Sequence, residues 1–397
     1  MSGEGIHKFA PRFYQFFVLR LQFGENCPTV ADLPYSPGER MDIDAIARSM
    51  RARMPWPVGQ LVLRQHGLRP GQGWAKTLDK LSDSTADYSE IIEPLAASLK
   101  EHLLCGEKLV RFYEVTKKAR VEMADAVSEL KVPRSAFSKS YPILLSEEEL
   151  ADQPTVPTLV AIEETDDAVA AVFASKRVIE IREPVPKDGL PEEAVEALSD
   201  YDEIVGVRHV RYQAMDIVSI SSKGNNVNVR IDYPQGMHLG VGRAGQEYVK
   251  ETLHDLIKKD YLSNPINLFP LLSQMYHDHH EGSVVELAFG TETASLKRER
   301  MRRRGTCLRK EIYHKGGKAA LKEPIQPYLL SIIWQNPTAS DGFSRPELGL
   351  HSTSLVAGHA EPVLLDAVFR KCMGNSDFDH VKARIEYHKK NISRLLF

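Results

Sequence analysis

The stretch AMDIVSISSKGNNVNVRIDY, Ala214 to Tyr233, constrains the fold more than any other part of the chain. Val227, Val229, Ile231 and Tyr233 alternate with Asn226, Asn228, Arg230 and Asp232, which is the period of a strand. A β-branched run precedes them, and Lys223, Gly224, Asn225 and Asn226 in between favour a tight reversal. Two strands joined this closely must run antiparallel, because a parallel return needs a crossover of a dozen residues or more. The valine face is expected in the core and the Asn, Arg and Asp face in solvent.

More strands surround this hairpin. TLVAI, AVAAVF and RVIEIRE read as short strands before it. After it come helices over 244–260 and 268–279, strands over 284–289 and 328–334, and a last helix over 379–396. The preceding part of the chain reads differently. A strand over 13–23 and another over 109–115 are outnumbered by helices from Asp42 or Asp44 to Arg53 and over 58–66, 73–81, 86–104 and 117–130. The acidic, proline-containing run SEEELADQPTVPT then reads as a linker. The expected class is α+β: a mostly helical region over 1–150, then a larger region over 151–397 with antiparallel sheet, packed helices and a basic segment at 297–322.

Several functions are excluded by what is absent. No apolar run reaches 18 residues, and FFVLRLQF is broken by Arg20 and Gln22, so no membrane helix is expected. The first residues lack the pattern of a secretory signal, which makes the cytoplasm the expected location. Cys27, Cys105, Cys307 and Cys372 are widely spaced, as suits reduced thiols rather than paired zinc ligands. Neither a P-loop nor a GxSxG elbow is present, so the chain leans away from being an enzyme.

Charge is segregated along the chain. Leu296 to Lys322 holds eleven Lys or Arg against two Glu, whereas Glu147 to Glu203 holds seventeen acidic residues against four basic ones. Solvated helices intersperse acids among their bases, and KRERMRRR has one Glu among six cations. Guanidinium groups bind phosphate oxygens two at a time, so the segment suits a phosphate backbone. TETASLKRERMRRRG is expected to be a helix ending at Gly305. The nucleic-acid contacts are expected from Lys297, Arg298, Arg300, Arg302, Arg303, Arg304, Arg309, Lys310, Lys315 and Lys318. The acidic stretch can attract this segment within one chain or between copies.

Three other patterns carry chemistry. If the helix over 268–279 continues through YHDHHEG, His277, His280 and Glu281 share a face, and with His314 they make a candidate divalent-metal site. Gly240, Gly242 and Gly245 spell GxGxxG in GVGRAG, but no parallel βαβ unit follows, so a flexible turn is expected and no cofactor site. Asp232 and Glu286 could serve as nuclease carboxylates, though Glu286 lacks the lysine that such sites place two residues on. The leading expectation is a nucleic-acid-binding or adaptor subunit of a larger assembly, with protein partners or self-association and no obligatory cofactor. The alternatives are a metal-dependent hydrolase and an interaction scaffold.

Overall fold

The computed structural model describes residues 42–302, 305–339 and 342–395. The strand expected over 13–23 and Cys27 lie outside the described residues.

Four helices come first: α1 (Ile43–Arg53), α2 (Trp56–Gln65), α3 (Gly73–Ser82) and α4 (Ser89–Cys105). Asp42 begins α1 by accepting the Ala45 amide at 2.6 Å, which satisfies a donor that the first turn leaves unpaired. Strand β1 (Lys108–Glu114) follows, then α5 (Lys117–Ser128), α6 (Ala136–Ser140) and α7 (Glu147–Ala151). The middle of the chain gives β2 (Thr158–Glu164), β3 (Ala168–Pro184), α8 (Glu192–Ala197), β4 (Val205–Ser221), β5 (Asn226–Asp232), α9 (Leu239–Ile257) and α10 (Leu271–His277). The last third gives β6 (Ser283–Gly290), β7 (Leu296–Arg300), α11 (Ile312–Ala319), β8 (Gln326–Ile333), β9 (Asn336–Pro337) and β10 (Phe343–Ser344). It closes with β11 (Glu347–His351), α12 (Ser354–Ala357), β12 (Asp366–Arg370) and α13 (Asn375–Leu395).

Ten of these strands form one antiparallel sheet in the order β2-β3-β4-β5-β1-β12-β11-β8-β6-β7, while β9 and β10 pair separately. The fold is α+β. Strand β1 comes from the helical part of the sequence yet lies between β5 and β12, so early and late elements share one core. No described helix is long and apolar enough to cross a membrane.

The hairpin turns where its sequence predicts, with Gly224 at φ +75°, a conformation that costs a residue without Cβ little. Its valine face packs as expected. Val227, Val229 and Ile231 are buried with Leu109, Phe173 and Val218 against Met123 and Val127 of α5 and Val249 and Leu253 of α9. Each fully buried side chain of this kind contributes roughly 1.5–3 kcal/mol. The other face differs from expectation: Asn228, Arg230 and Asp232 are buried too. Helices α4 and α13 account for this. Arg230 lies 3.8 Å over the Phe378 ring and donates to the Leu104 carbonyl at 3.2 Å, so the polar side chains find partners inside the protein.

Asp232 is the centre of a buried charge network. It accepts from Lys108 at 2.7 Å and from the Met215 amide at 2.7 Å, and it pairs with Arg53. Burial alone would raise its pKa, but Arg53 and Lys108 hold it below the ordinary value, so the carboxylate stays charged. Neighbouring Asp216 pairs with Arg177 and accepts the Asp232 amide at 2.9 Å. The network ties α1 to β1, β3, β4 and β5.

The glycines of GVGRAG lie inside α9 rather than in a turn. A Cβ on Gly242 would stand 2.8 Å from Leu109, and one on Gly245 would stand 2.9 Å from Ile231. Bare backbone lets the helix lie close against the sheet, which is why the spacing imitates a nucleotide loop without being one.

β3 and β4 extend beyond their neighbours. AVAAVF and RVIEIRE, expected as two strands, form a single strand paired with β4 from Ala168↔Ser221 to Pro184↔Val205. β2 accompanies β3 only as far as Ala174, and β5 accompanies β4 over Ile217–Ile220. What lies beyond is a two-stranded ribbon ending in α8, and no residue over 185–204 is buried.

Candidate nucleic-acid interface

The segment LKRER forms the edge strand β7, not the expected helix. It has only Leu296 and Met301 to bury, and pairing with β6 satisfies its backbone where a helical face could not be packed. Lys and Arg along an outer strand also discourage further strand addition. Its side chains alternate. Glu299 points to His314 of α11 and accepts from its Nδ1 at 2.7 Å, and His314 Nε2 lies 2.7 Å from the Tyr276 hydroxyl. Burial pushes that hydroxyl up to about 12. Arg298 and Arg300 take the opposite face.

On that face Arg298 is bound twice to Glu286, at 2.6 and 2.9 Å. Beside it is a depression of about 470 Å³ lined by Glu286, Arg300, Arg302, Ile333, Glu347 and Lys371. A second of about 250 Å³ shares Val285, Ile333 and Lys371 with the first and continues to Phe343, Arg345 and Leu61 of α2. The two adjoin as one groove lined by both apolar and cationic side chains. Its carboxylates are engaged: Glu286 holds Arg298, and Glu347 holds Lys371. Among the described residues no ion pair engages Arg300, Arg302 or Arg345, and all three are exposed. Phe343, 55% exposed, adds an aromatic face.

The expected contact residues divide. Lys297, Arg298, Arg300, Arg302, Lys310, Lys315 and Lys318 are exposed. Arg309 is occupied, donating to the carbonyls of Asp278, Glu281 and Gly282. Arg303 and Arg304 lie outside the described residues. Lys371, Arg345 and Phe343 were not legible as members, because β10, β11 and β12 bring them to the groove from more than forty residues away.

The four expected metal ligands do not converge. α10 ends at His277, whose Nδ1 is 2.8 Å from the Ser273 carbonyl, and Asp278 turns the chain into extended backbone. His280 is exposed, and His314 belongs to the Tyr276 and Glu299 chain of contacts. Glu281 is instead buried against α13. It meets His388 at 2.6 Å, Arg384 at 2.7 Å and Trp334 at 2.7 Å. Asp278, Glu281 and His388 are the one described group of three whose donor atoms lie near enough to share a cation. Arg384 fills the place of that cation with a fixed positive charge on the same carboxylate. Nor do Asp232 and Glu286 meet, since β5 and β6 stand five positions apart in the sheet.

Comparison with protein-family models, with curated proteins and with solved structures finds no match in any of the three.

Proposed function

We propose that the protein binds nucleic acid, and single strands in preference to duplex, along the groove between β7 and β10. The observation that carries this reading is the placing of Arg300, Arg302 and Arg345 along one groove with no anionic partner among the described residues. Unpaired guanidinium groups repel one another and favour an anion that can approach several of them, which a phosphate backbone does. Exposed Phe343, which lines the same depression as Arg345, offers a face for base stacking, and a base in a duplex has no free face to offer it. Contacts of this kind are tolerant of sequence, so discrimination among sequences is expected to be weak.

The test is fluorescence anisotropy with a labelled single strand and the matching duplex. Phe343→Ala is expected to weaken single-strand binding about tenfold, within the roughly 1–3 kcal/mol typical of a stacked base, while leaving duplex binding unchanged. Equal affinity of the wild-type protein for both probes, or the same loss on both in the variant, would remove the preference for single strands.

A further inference from the structure

The ribbon of β3 and β4 has an outer end with no interior of its own. Between Glu183 and Glu203 it carries eight acidic residues against Lys187 alone, and all eight are exposed. One face of the ribbon also shows Val178, Val205 and Val207, each about half exposed at 47%, 49% and 52%, with Tyr201 at 60% beyond them. Cross-strand pairing puts Val178 opposite Arg211 and Val205 opposite Pro184, on the side away from Ile179, which packs towards the core. A two-stranded ribbon is marginal by itself, and an acidic tip with an adjoining valine strip is a surface made for a cationic, partly apolar partner.

Such a surface exists on the opposite edge of the same molecule. α11 turns His314 inward and leaves Ile312 and Tyr313 86% and 76% exposed. Lys310 and Lys315 flank them, and Lys297 extends from β7, on the side of that strand away from Arg300. Charge and apolar character therefore complement the ribbon. No hydrogen bond or ion pair among the described residues joins the two surfaces within one chain, and β4 and β7 are seven steps apart, about 34 Å along the sheet at the usual strand spacing of about 4.8 Å.

We propose that the acidic ribbon of one copy docks on the basic α11 edge of a second copy. The contact is head to tail, so a docked pair keeps one free ribbon and one free edge, and the assembly grows by addition of further copies. It does not rest on nucleic-acid binding, since it uses Lys297, Lys310, Lys315, Ile312 and Tyr313 rather than the three groove arginines.

The test is sedimentation velocity of the full chain at low salt with no nucleic acid present. Wild type is expected to show species larger than a dimer that grow with concentration and dissolve as salt rises. A ribbon variant, Glu192→Lys with Glu193→Lys and Glu196→Lys, and an edge variant, Lys297→Gln with Lys310→Gln and Lys315→Gln, are each expected to be monomeric. All six side chains are exposed, so the substitutions spare the core, and circular dichroism checks the fold. Mixed together, the two variants have one intact ribbon and one intact edge, and a one-to-one dimer that goes no further is expected. A monomeric wild type, association surviving in either variant, or a mixture that stays monomeric would each overturn the proposal.

Discussion

Around Glu281, four groups donate to one buried carboxylate: His388, Arg384, Trp334 and the Gly282 amide. Burial pushes against its charge, yet the bonds from His388 and Arg384 outweigh that and bring the pKa down to about 2. The folded pKa is below the unfolded one, so this stabilisation is complete above about pH 4.5 and is lost as pH falls towards 2. Glu281→Gln is expected to cost about 3 kcal/mol at neutral pH, because it strands Arg384 without its counter-charge, and to flatten the acid limb of the stability curve. Denaturant titrations at pH 7 and pH 3 measure both effects. His102 works over a different window. Burial lowers it from 6.5 to about 4, so the folded protein holds it neutral beside the Cys372 carbonyl at 2.9 Å. Protonation favours the unfolded chain, and stability should already decline between pH 6.5 and 4. His102→Gln should remove that part of the decline, and an unchanged curve would show that other groups are responsible.

Among the elements, the hairpin was readable because apolar alternation is a local signal and Gly224 marks its turn. Strand β7 was not, because the run KRERMRRR, with six cations and one Glu, carries no apolar period and edge position is decided by what the strand pairs with. The histidine run misled for a related reason: where α10 ends depends on Arg309 holding the carbonyls of the following loop, a contact about thirty residues away in sequence. α9 looked like a nucleotide loop because close helix packing and phosphate approach both require missing side chains. Gly242→Ala separates these roles. A methyl group 2.8 Å from Leu109 should destabilise the fold by about 1–3 kcal/mol, as overpacking does, with no change in the affinity for ATP or NAD measured by calorimetry. Nucleotide binding by the wild type that is lost in this variant would contradict the packing role.

At the scale of the molecule, the sequence made the charge asymmetry plain but not its geometry. It showed that acidic and basic stretches exist; only the strand order shows that they occupy opposite sides of a wide sheet. The basic segment was legible as a candidate interface, whereas the groove was assembled from Arg345, Phe343 and Lys371 across strands that no local pattern connects. The measurement that tests the interface most directly is the salt dependence of single-strand binding, taken for the wild type and for the variant with Arg300, Arg302 and Arg345 all changed to Ala. Each phosphate contact on a single strand contributes about 0.7 to the slope of log affinity against log salt, so the variant should bind more weakly and with a slope shallower by about 2. A slope and affinity unchanged in the variant would contradict the groove as the nucleic-acid interface.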